Sequence, residues 1–131
     1  MFTNQELIAA AAQARTAAYA PYSQYQVGAA LLGKSGRIYT GCNVENASFG
    51  ATICAERCAA VKAVSEGETD FIALAVVVDG PKPASPCGIC RQFLAEFNVE
   101  LRLILANLDG KVVETTLKDY LPEAFTPKSL G

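Results

Sequence analysis

The sequence predicts one α/β domain of three layers, in which a mixed β-sheet of about five strands carries helices on both faces. Its 131 residues fit the size of a single domain, 1–131. Hydrophobic residues make up 51% of the chain and charged residues 18%, so the chain can bury a core and is not disordered. Helical and strand-like patterns follow one another in the order α-β-β-α-β-α-β-β, which is typical of a sheet covered by helices.

The first half of the chain shows a helix, a β-hairpin and a second helix. Apolar residues at helical spacing follow Asn4, a candidate cap, and Pro21 stops the pattern. Two strand-like segments then flank the turn sequence GKSG at 33–36, and Gly67 ends the second helix. In chain order, these elements are predicted at residues 4–19, 26–32, 37–41 and 54–66.

The second half of the chain adds three strands and two helices. A fully apolar, β-branched run predicts a buried strand, and three prolines after it exclude regular structure up to the next helix. The sequence LDG at 108–110 marks the turn between the last two strands. These elements are predicted at residues 71–78, 88–97, 101–106 and 111–116, with a short helix near 118–120.

Composition and charge exclude several kinds of partner. The formal net charge is −2 and no run of Lys or Arg is visible, which argues against nucleic acid and favours a small-molecule substrate. No segment approaches the ~18 apolar residues of a membrane span, and residues 2–14 lack the pattern of a signal peptide. We therefore expect no membrane partner and a cytoplasmic location, where the five cysteines stay reduced. The apolar composition also suggests surface buried between subunits.

Two cysteine clusters lie where loops enter predicted helices. Cys54 begins one helix, and Cys87 and Cys90 begin another. Free backbone N–H groups at helix starts stabilise the thiolate, which is the form that binds zinc. Glu56 follows Cys54 by two residues and can handle protons for a zinc-bound water if the fourth zinc position is open. The chain contains no histidine, so a zinc site must use thiolates or carboxylates, and triads that need histidine are excluded.

Spacing alone leaves the number of zinc ligands undecided. Cys58 follows Cys54 by four residues, so four thiolates could close the site and make a structural zinc module. Glu56 would then be an ordinary surface acid. In an open site, three thiolates and Zn²⁺ carry a net negative charge, which Arg57 could relieve by donating hydrogen bonds to sulfur. Arg91 is a second candidate for that role.

Several motifs together resemble one known family. They are CAER at 54–57, PCGICRQ at 86–92, YAPYSQYQVGAAL at 19–31, GCNVEN at 41–46 and LPEAF at 121–125. The first two resemble the zinc signature of nucleoside deaminases, whose chemistry uses a cysteine-bound zinc and a glutamate that is not a ligand. With the other three, nearly the whole chain resembles the small, homotetrameric cytidine deaminases. The resemblance implies a single cytidine deaminase-like catalytic domain.

The resemblance also implies a reaction. It is the zinc-dependent hydrolytic deamination of cytidine and deoxycytidine to uridine and deoxyuridine, with release of ammonia, in pyrimidine salvage. One zinc ion per subunit is held by Cys54, Cys87 and Cys90, with water or hydroxide as fourth ligand. Glu56 takes the proton of this water and delivers protons to the base. Cys58 occupies a position usually held by threonine, so the resemblance makes it a core residue.

The resemblance implies that Asn43 and Glu45 bind the ribose 3′-hydroxyl and that the Tyr25 ring covers the sugar or the base. The backbone of Ala55 is expected to contact the edge of the base. Phe125 is expected to reach the pocket from a neighbouring subunit. Tyr25 departs from the phenylalanine usual in the family, which leaves fine substrate preference open. A deaminase of a modified cytosine nucleoside, like the blasticidin S deaminases, is an alternative within the same chemistry, and a nucleic-acid editor is less favoured.

Overall fold

The computed structural model describes residues 2–130 of the chain. The helices α1 to α4 span Asn4–Arg15, Ala55–Ser65, Gly88–Ala95 and Leu117–Tyr120. The strands β1 to β5 span Val27–Gly33, Ile38–Cys42, Phe71–Val78, Arg102–Asn107 and Val112–Thr116. Single 3₁₀ turns lie at Phe49–Ala51 and Pro127–Leu130. Within residues 2–130, no helix has the length and apolar character needed to cross a membrane.

The five strands form one mixed sheet in the order β2-β1-β3-β4-β5. Strands β3 and β4 are parallel, and the other neighbouring pairs are antiparallel. A parallel pair needs a crossover connection, and α3 lies in the segment that joins β3 to β4. The predicted mixed five-stranded sheet is therefore confirmed.

Helices cover both faces of this sheet. In β1, Ala29 and Leu31 belong to the buried cluster that includes α2 and α3. Ala30 and Leu32 belong to the second cluster, which they share with α1. Because successive side chains of a strand point to opposite faces, both faces of the sheet are apolar and buried. The predicted three-layer arrangement is confirmed.

Helix α2 packs directly on the backbone of β2 at Gly41. A Cβ atom built on Gly41 would lie 2.5 Å from the backbone nitrogen of Ala59 and 2.6 Å from the carbonyl oxygen of Ala55. Only glycine leaves room for so close a contact between helix and strand. The position of α2, and of the residues at its first turn, is thus set by contact with the sheet.

The first helix is shorter than the sequence predicts. It ends at Arg15, whereas the prediction extended it to Tyr19. The backbone of Tyr19 instead forms a β-bridge with Val44. The cap of the helix is Thr3 and not Asn4: Thr3 Oγ1 accepts from the Glu6 backbone nitrogen at 3.1 Å, and the Thr3 nitrogen donates to Glu6 Oε1 at 2.9 Å. This is a capping box, which stabilises a helix start. The other predicted boundaries agree with the structure to within two residues.

Candidate metal centre and substrate pocket

Three cysteine sulfurs meet where α2 and α3 begin. The Sγ atoms of Cys54, Cys87 and Cys90 all lie within 4.8 Å of one another, and those of Cys54 and Cys87 are 3.6 Å apart. Cys54 is the N-cap residue of α2, Cys87 is the N-cap residue of α3, and Cys90 is buried in the first turn of α3. The fold therefore brings together the three predicted ligands, although they are separated along the chain.

The geometry of the three sulfurs fits zinc. Zinc–sulfur bonds are about 2.3 Å long, which puts two sulfurs of a tetrahedral site about 3.8 Å apart. Neither Cys54 nor Cys87 uses its side chain for a capping hydrogen bond. Both sulfurs also lie at the positive end of a helix dipole, where a thiolate is favoured. The donor set and its surroundings thus match a zinc site with one position left for a ligand outside the chain.

The thiols of Cys54 and Cys90 hold their protons unequally. Hydrogen bonds from Cys90, and then from Arg57 and Cys87, lower the pKa of the Cys54 thiol to about 5 although burial opposes this. The pKa of Cys90 is raised, mainly because its thiol donates to Cys54 and also because it is buried. The cluster therefore supplies its first thiolate readily, and a metal ion must displace the remaining protons.

Arg57 and Arg91 have different surroundings. The Nη2 atom of Arg57 donates to Cys54 Sγ at 3.6 Å and to the Thr52 carbonyl oxygen at 3.3 Å. Arg91 instead donates to the carbonyl oxygens of Pro86 at 2.7 Å and Tyr120 at 3.1 Å, and also to a serine hydroxyl. Arg57 therefore lies where it can reduce the charge on a ligand sulfur. The hydrogen bonds of Arg91 go to oxygen atoms, so it fastens the loop before α3 to α4.

Cys58 lies outside the sulfur cluster. All five cysteines are among the described residues, and the set whose sulfurs lie within 4.8 Å of one another does not include Cys58. Its Cβ atom instead lies against Gly41, 2.9 Å from where a Cβ of that glycine would be. Cys54 precedes α2 and has an extended backbone, with ψ of 155°, so helical spacing by four residues does not by itself bring the sulfurs of Cys54 and Cys58 together. The structure therefore favours three thiol ligands over the closed four-thiolate alternative.

Glu56 is a buried carboxyl group beside the sulfurs. It lies in the first turn of α2, is only 5% exposed, and lines a pocket of about 220 Å³ together with Cys54 and Cys87. Burial is the main cause that raises the pKa of Glu56 to about 7, and the neighbouring Cys54 charge adds to it. Val76 and Val78 of β3 form an apolar wall of the same pocket. A carboxyl group with such a pKa can both accept and donate a proton near neutral pH.

Asn43 and Glu45 line the same pocket. The Asn43 side chain accepts from the Val27 backbone nitrogen at 2.9 Å and donates to the Tyr25 carbonyl oxygen at 2.8 Å. Glu45 Oε1 accepts from the backbone nitrogens of Tyr22 and Ser23 at 3.0 and 3.1 Å. Both polar side chains are buried, and both hold the loop that precedes β1. Ser23 lies inside the motif at 19–31 but is not among the predicted substrate contacts, and it also lines this pocket.

The remaining predicted contacts divide into two groups. Tyr25 and Ala55 line the pocket, and Tyr25 is 41% exposed. Burial, and then the charges of Asp79 and Glu56, raise the pKa of Tyr25, so its hydroxyl keeps its proton. Phe125 lies on the surface, 59% exposed, and is not among the residues that line the pocket of its own chain. Its carbonyl oxygen accepts from a glutamine of α3 at 2.6 Å, which ties the C-terminal segment to that helix.

Three thiols that could hold a metal ion beside a buried carboxyl group, at helix starts on an α/β sheet, are the arrangement of a zinc-dependent hydrolytic enzyme. Residues 1–106 match the family described as the cytidine and deoxycytidylate deaminase zinc-binding region. The chain belongs to this family.

Individual relatives agree with this assignment along nearly the whole chain. A cytidine deaminase from Halalkalibacterium halodurans is 51% identical over 128 residues, which cover 97% of both chains. One from Sporosarcina psychrophila is 52% identical over 128 residues, covering 97% of this chain and 94% of the relative. The crystal structure of a cytidine deaminase from Burkholderia pseudomallei superimposes with a TM-score of 0.92 at 46% identity, covering 95% of this chain and 100% of the other. The predicted fold class and family are confirmed.

Proposed function

We propose that this chain catalyses the zinc-dependent hydrolysis of cytidine and deoxycytidine to uridine and deoxyuridine, with release of ammonia. The observation that carries the proposal is the pocket that holds the buried carboxyl of Glu56 beside Cys54 and Cys87. Membership of the deaminase family and relatives named cytidine deaminase support the substrate class.

Cys54, Cys87 and Cys90 hold one zinc ion per chain in this proposal. When bound, zinc supplies Lewis-acid chemistry that activates a water molecule for attack on the C4 carbon of cytosine. Arg57 donates a hydrogen bond to Cys54 and so draws negative charge away from the ligand sulfurs. This hydrogen bond preserves the Lewis acidity of a bound zinc ion, which three thiolates would otherwise weaken.

Glu56 moves the protons. It takes a proton from the attacking water, delivers a proton to the ring nitrogen N3, and later protonates the departing amine. Its burial at 5% exposure supports this role, because the pKa of about 7 makes both proton acceptance and donation accessible. The apolar walls at Val76 and Val78 exclude water from the base.

Asn43 and Glu45 bind the sugar. Hydrogen bonds from Ser23 and from the backbone lower the pKa of Glu45, which keeps its carboxylate ionised and ready to accept from a sugar hydroxyl. Tyr25 covers the sugar or the base, and the backbone of Ala55 reads the base edge. All four residues line the pocket that contains Glu56, which supports this assignment.

The active form is a homotetramer in which Phe125 of a neighbouring subunit closes the pocket. Large exposed aromatic side chains support an interface: Phe49 is 72% exposed, Phe125 59% and Tyr22 52%. The cytoplasm is the proposed location, since the five cysteines are free and three of them are needed as thiolates. The net charge of −2 gives no support for a nucleic-acid partner.

A cytidine assay with a matched pair of variants tests the proposal. The zinc-loaded protein is expected to convert cytidine, followed by ultraviolet absorbance, and Glu56→Gln is expected to lose at least the ~10²–10⁴-fold that acid–base catalysis contributes. Its zinc content should stay at one ion per chain. Glu66→Gln, at the exposed end of α2, is the control that should keep activity. Full activity of Glu56→Gln, or no turnover by the parent protein, contradicts the proposal.

A further inference from the structure

The carboxylate of Glu45 is held by one short turn of the chain. Its Oε1 atom accepts from the backbone nitrogens of Tyr22 at 3.0 Å and Ser23 at 3.1 Å. Its Oε2 atom accepts from the hydroxyl of Ser23. A carboxylate offers about four acceptor positions, two on each oxygen. Within residues 2–130, the turn fills three of them, which leaves one acceptor position, on Oε2, for a ligand.

The hydroxyl of Ser23 is itself oriented from the other side. Ser23 Oγ accepts from the Tyr25 backbone nitrogen at 3.0 Å while it donates to Glu45. Between them, Gln24 has a φ of +57°, a conformation uncommon for a residue other than glycine. Such a conformation persists where surrounding contacts hold it. The Ser23 side chain therefore links the pocket carboxylate to the strained turn and to the backbone of Tyr25.

We infer that Ser23 is a positioning residue, which directs the free acceptor position of Glu45 Oε2 to a ring hydroxyl of the substrate's ribose. The inference rests on the proposed function and adds a determinant of sugar specificity to it. Ser23, Tyr25 and Glu45 line one pocket with Glu56, so the sugar contact and the proton-transfer group lie in the same pocket. Without the serine hydroxyl, the carboxylate loses the contact that aligns Oε2, and its hydrogen bond to the sugar weakens.

The test compares two substrates, cytidine and 2′,3′-dideoxycytidine, which lacks both ring hydroxyls. Ser23→Ala is expected to lose about 10- to 100-fold in kcat/KM on cytidine, the range for a lost hydrogen bond to a charged group, chiefly through KM. On the dideoxy substrate, the kcat/KM values of Ser23→Ala and the parent should agree within about threefold, since neither protein can form the hydrogen bond between Glu45 and a ring hydroxyl. Ser23→Thr keeps the hydroxyl and should restore the parent KM. Ser23→Cys, with its weak S–H donor, should fall between alanine and the parent.

A closely matched control exists in the same chain. Ser35 also donates to a glutamate, Glu68, and also accepts from the backbone nitrogen two residues on, that of Arg37 at 3.4 Å, but it lies in the exposed β1–β2 turn. Ser35→Ala should leave KM unchanged for both substrates. Equal losses of Ser23→Ala on the two substrates, or no loss on cytidine, would overturn the inference. A parent protein that converts neither substrate would instead refute the proposed function.

Discussion

Replacing Gly41 by alanine is expected to displace α2 and the metal centre with it. The added Cβ would lie 2.5 Å from the Ala59 nitrogen and 2.6 Å from the Ala55 carbonyl oxygen, where ordinary van der Waals contact begins at 3.4 Å. The helix and the strand must therefore separate by about 0.9 Å for the closer contact to reach ordinary distance. Both atoms belong to the helix backbone, so no side-chain rotation can relieve it. Cys54 and Glu56 flank Ala55 and move with the helix.

The size of the effect follows from this displacement. Overpacking of this kind costs about 1–3 kcal/mol of folding free energy. A misplacement of about 1 Å in a catalytic site can lower the rate ~10²-fold. We expect Gly41→Ala to lose both stability and most of its kcat/KM on cytidine, with weaker zinc retention, because Cys54 shifts relative to the ligands on α3.

Urea unfolding, zinc analysis and steady-state kinetics check this prediction. Gly50→Ala is the control, because a Cβ on Gly50 would meet nothing within 4 Å and its backbone does not require glycine. It should behave like the parent protein in stability and zinc content. If Gly41→Ala matched the parent in unfolding free energy and kcat/KM, the close helix–strand contact would not position the site, and the reasoning would be refuted.

Three further predictions concern the site. Zinc content measured by atomic emission should stay at one ion per chain in Cys58→Thr and should fall to none in Cys87→Ser. Loss of zinc from Cys58→Thr would instead support the four-thiolate alternative. Arg57→Ala should lower kcat/KM by about 10- to 100-fold, as removal of a group that supports a metal ligand does, and parent-level activity would contradict its role. Hydrogen bonds from Ser23 lower the pKa of the Glu45 carboxyl in the folded protein below the ordinary value of 4.5. The ionised carboxylate therefore stabilises the folded state above pH 4.5, and this stabilisation is lost as the pH falls through the folded-state pKa. The stability gap between the parent and Glu45→Gln in urea should thus be larger at pH 7 than at pH 3, and an equal gap would count against it.

Local pattern was enough to predict most elements of the fold. The strand Phe71–Val78 was predicted with the bounds that the structure shows, because a β-branched apolar run is both a strong strand signal and a buried one. The first helix was predicted too long because alanines continue the helical pattern past Arg15. A backbone bridge between Tyr19 and Val44 overrides that local preference, and its partner is distant in sequence.

The candidate site could be predicted in part. The three candidate ligand cysteines and Glu56 follow from motifs. Spacing could not decide whether Cys58 is a fourth ligand, since the answer depends on how the N-cap residue Cys54, with its extended backbone, directs its side chain. The bonds between Glu45 and Ser23 join residues 22 apart and depend on the packing of two loops, so no local pattern signals them. The contact of Phe125 with a neighbouring subunit stays a prediction.

The most direct test of the central claim is deamination of cytidine in water enriched in ¹⁸O. Hydrolysis forms a bond from the water oxygen to C4 and breaks the bond from C4 to the amino nitrogen. The zinc-loaded protein should therefore release one ammonia for each uridine formed, and mass spectrometry should find one ¹⁸O atom in the base of that uridine. Uridine without the label, or no uridine above the rate of the Glu56→Gln variant, would contradict the account.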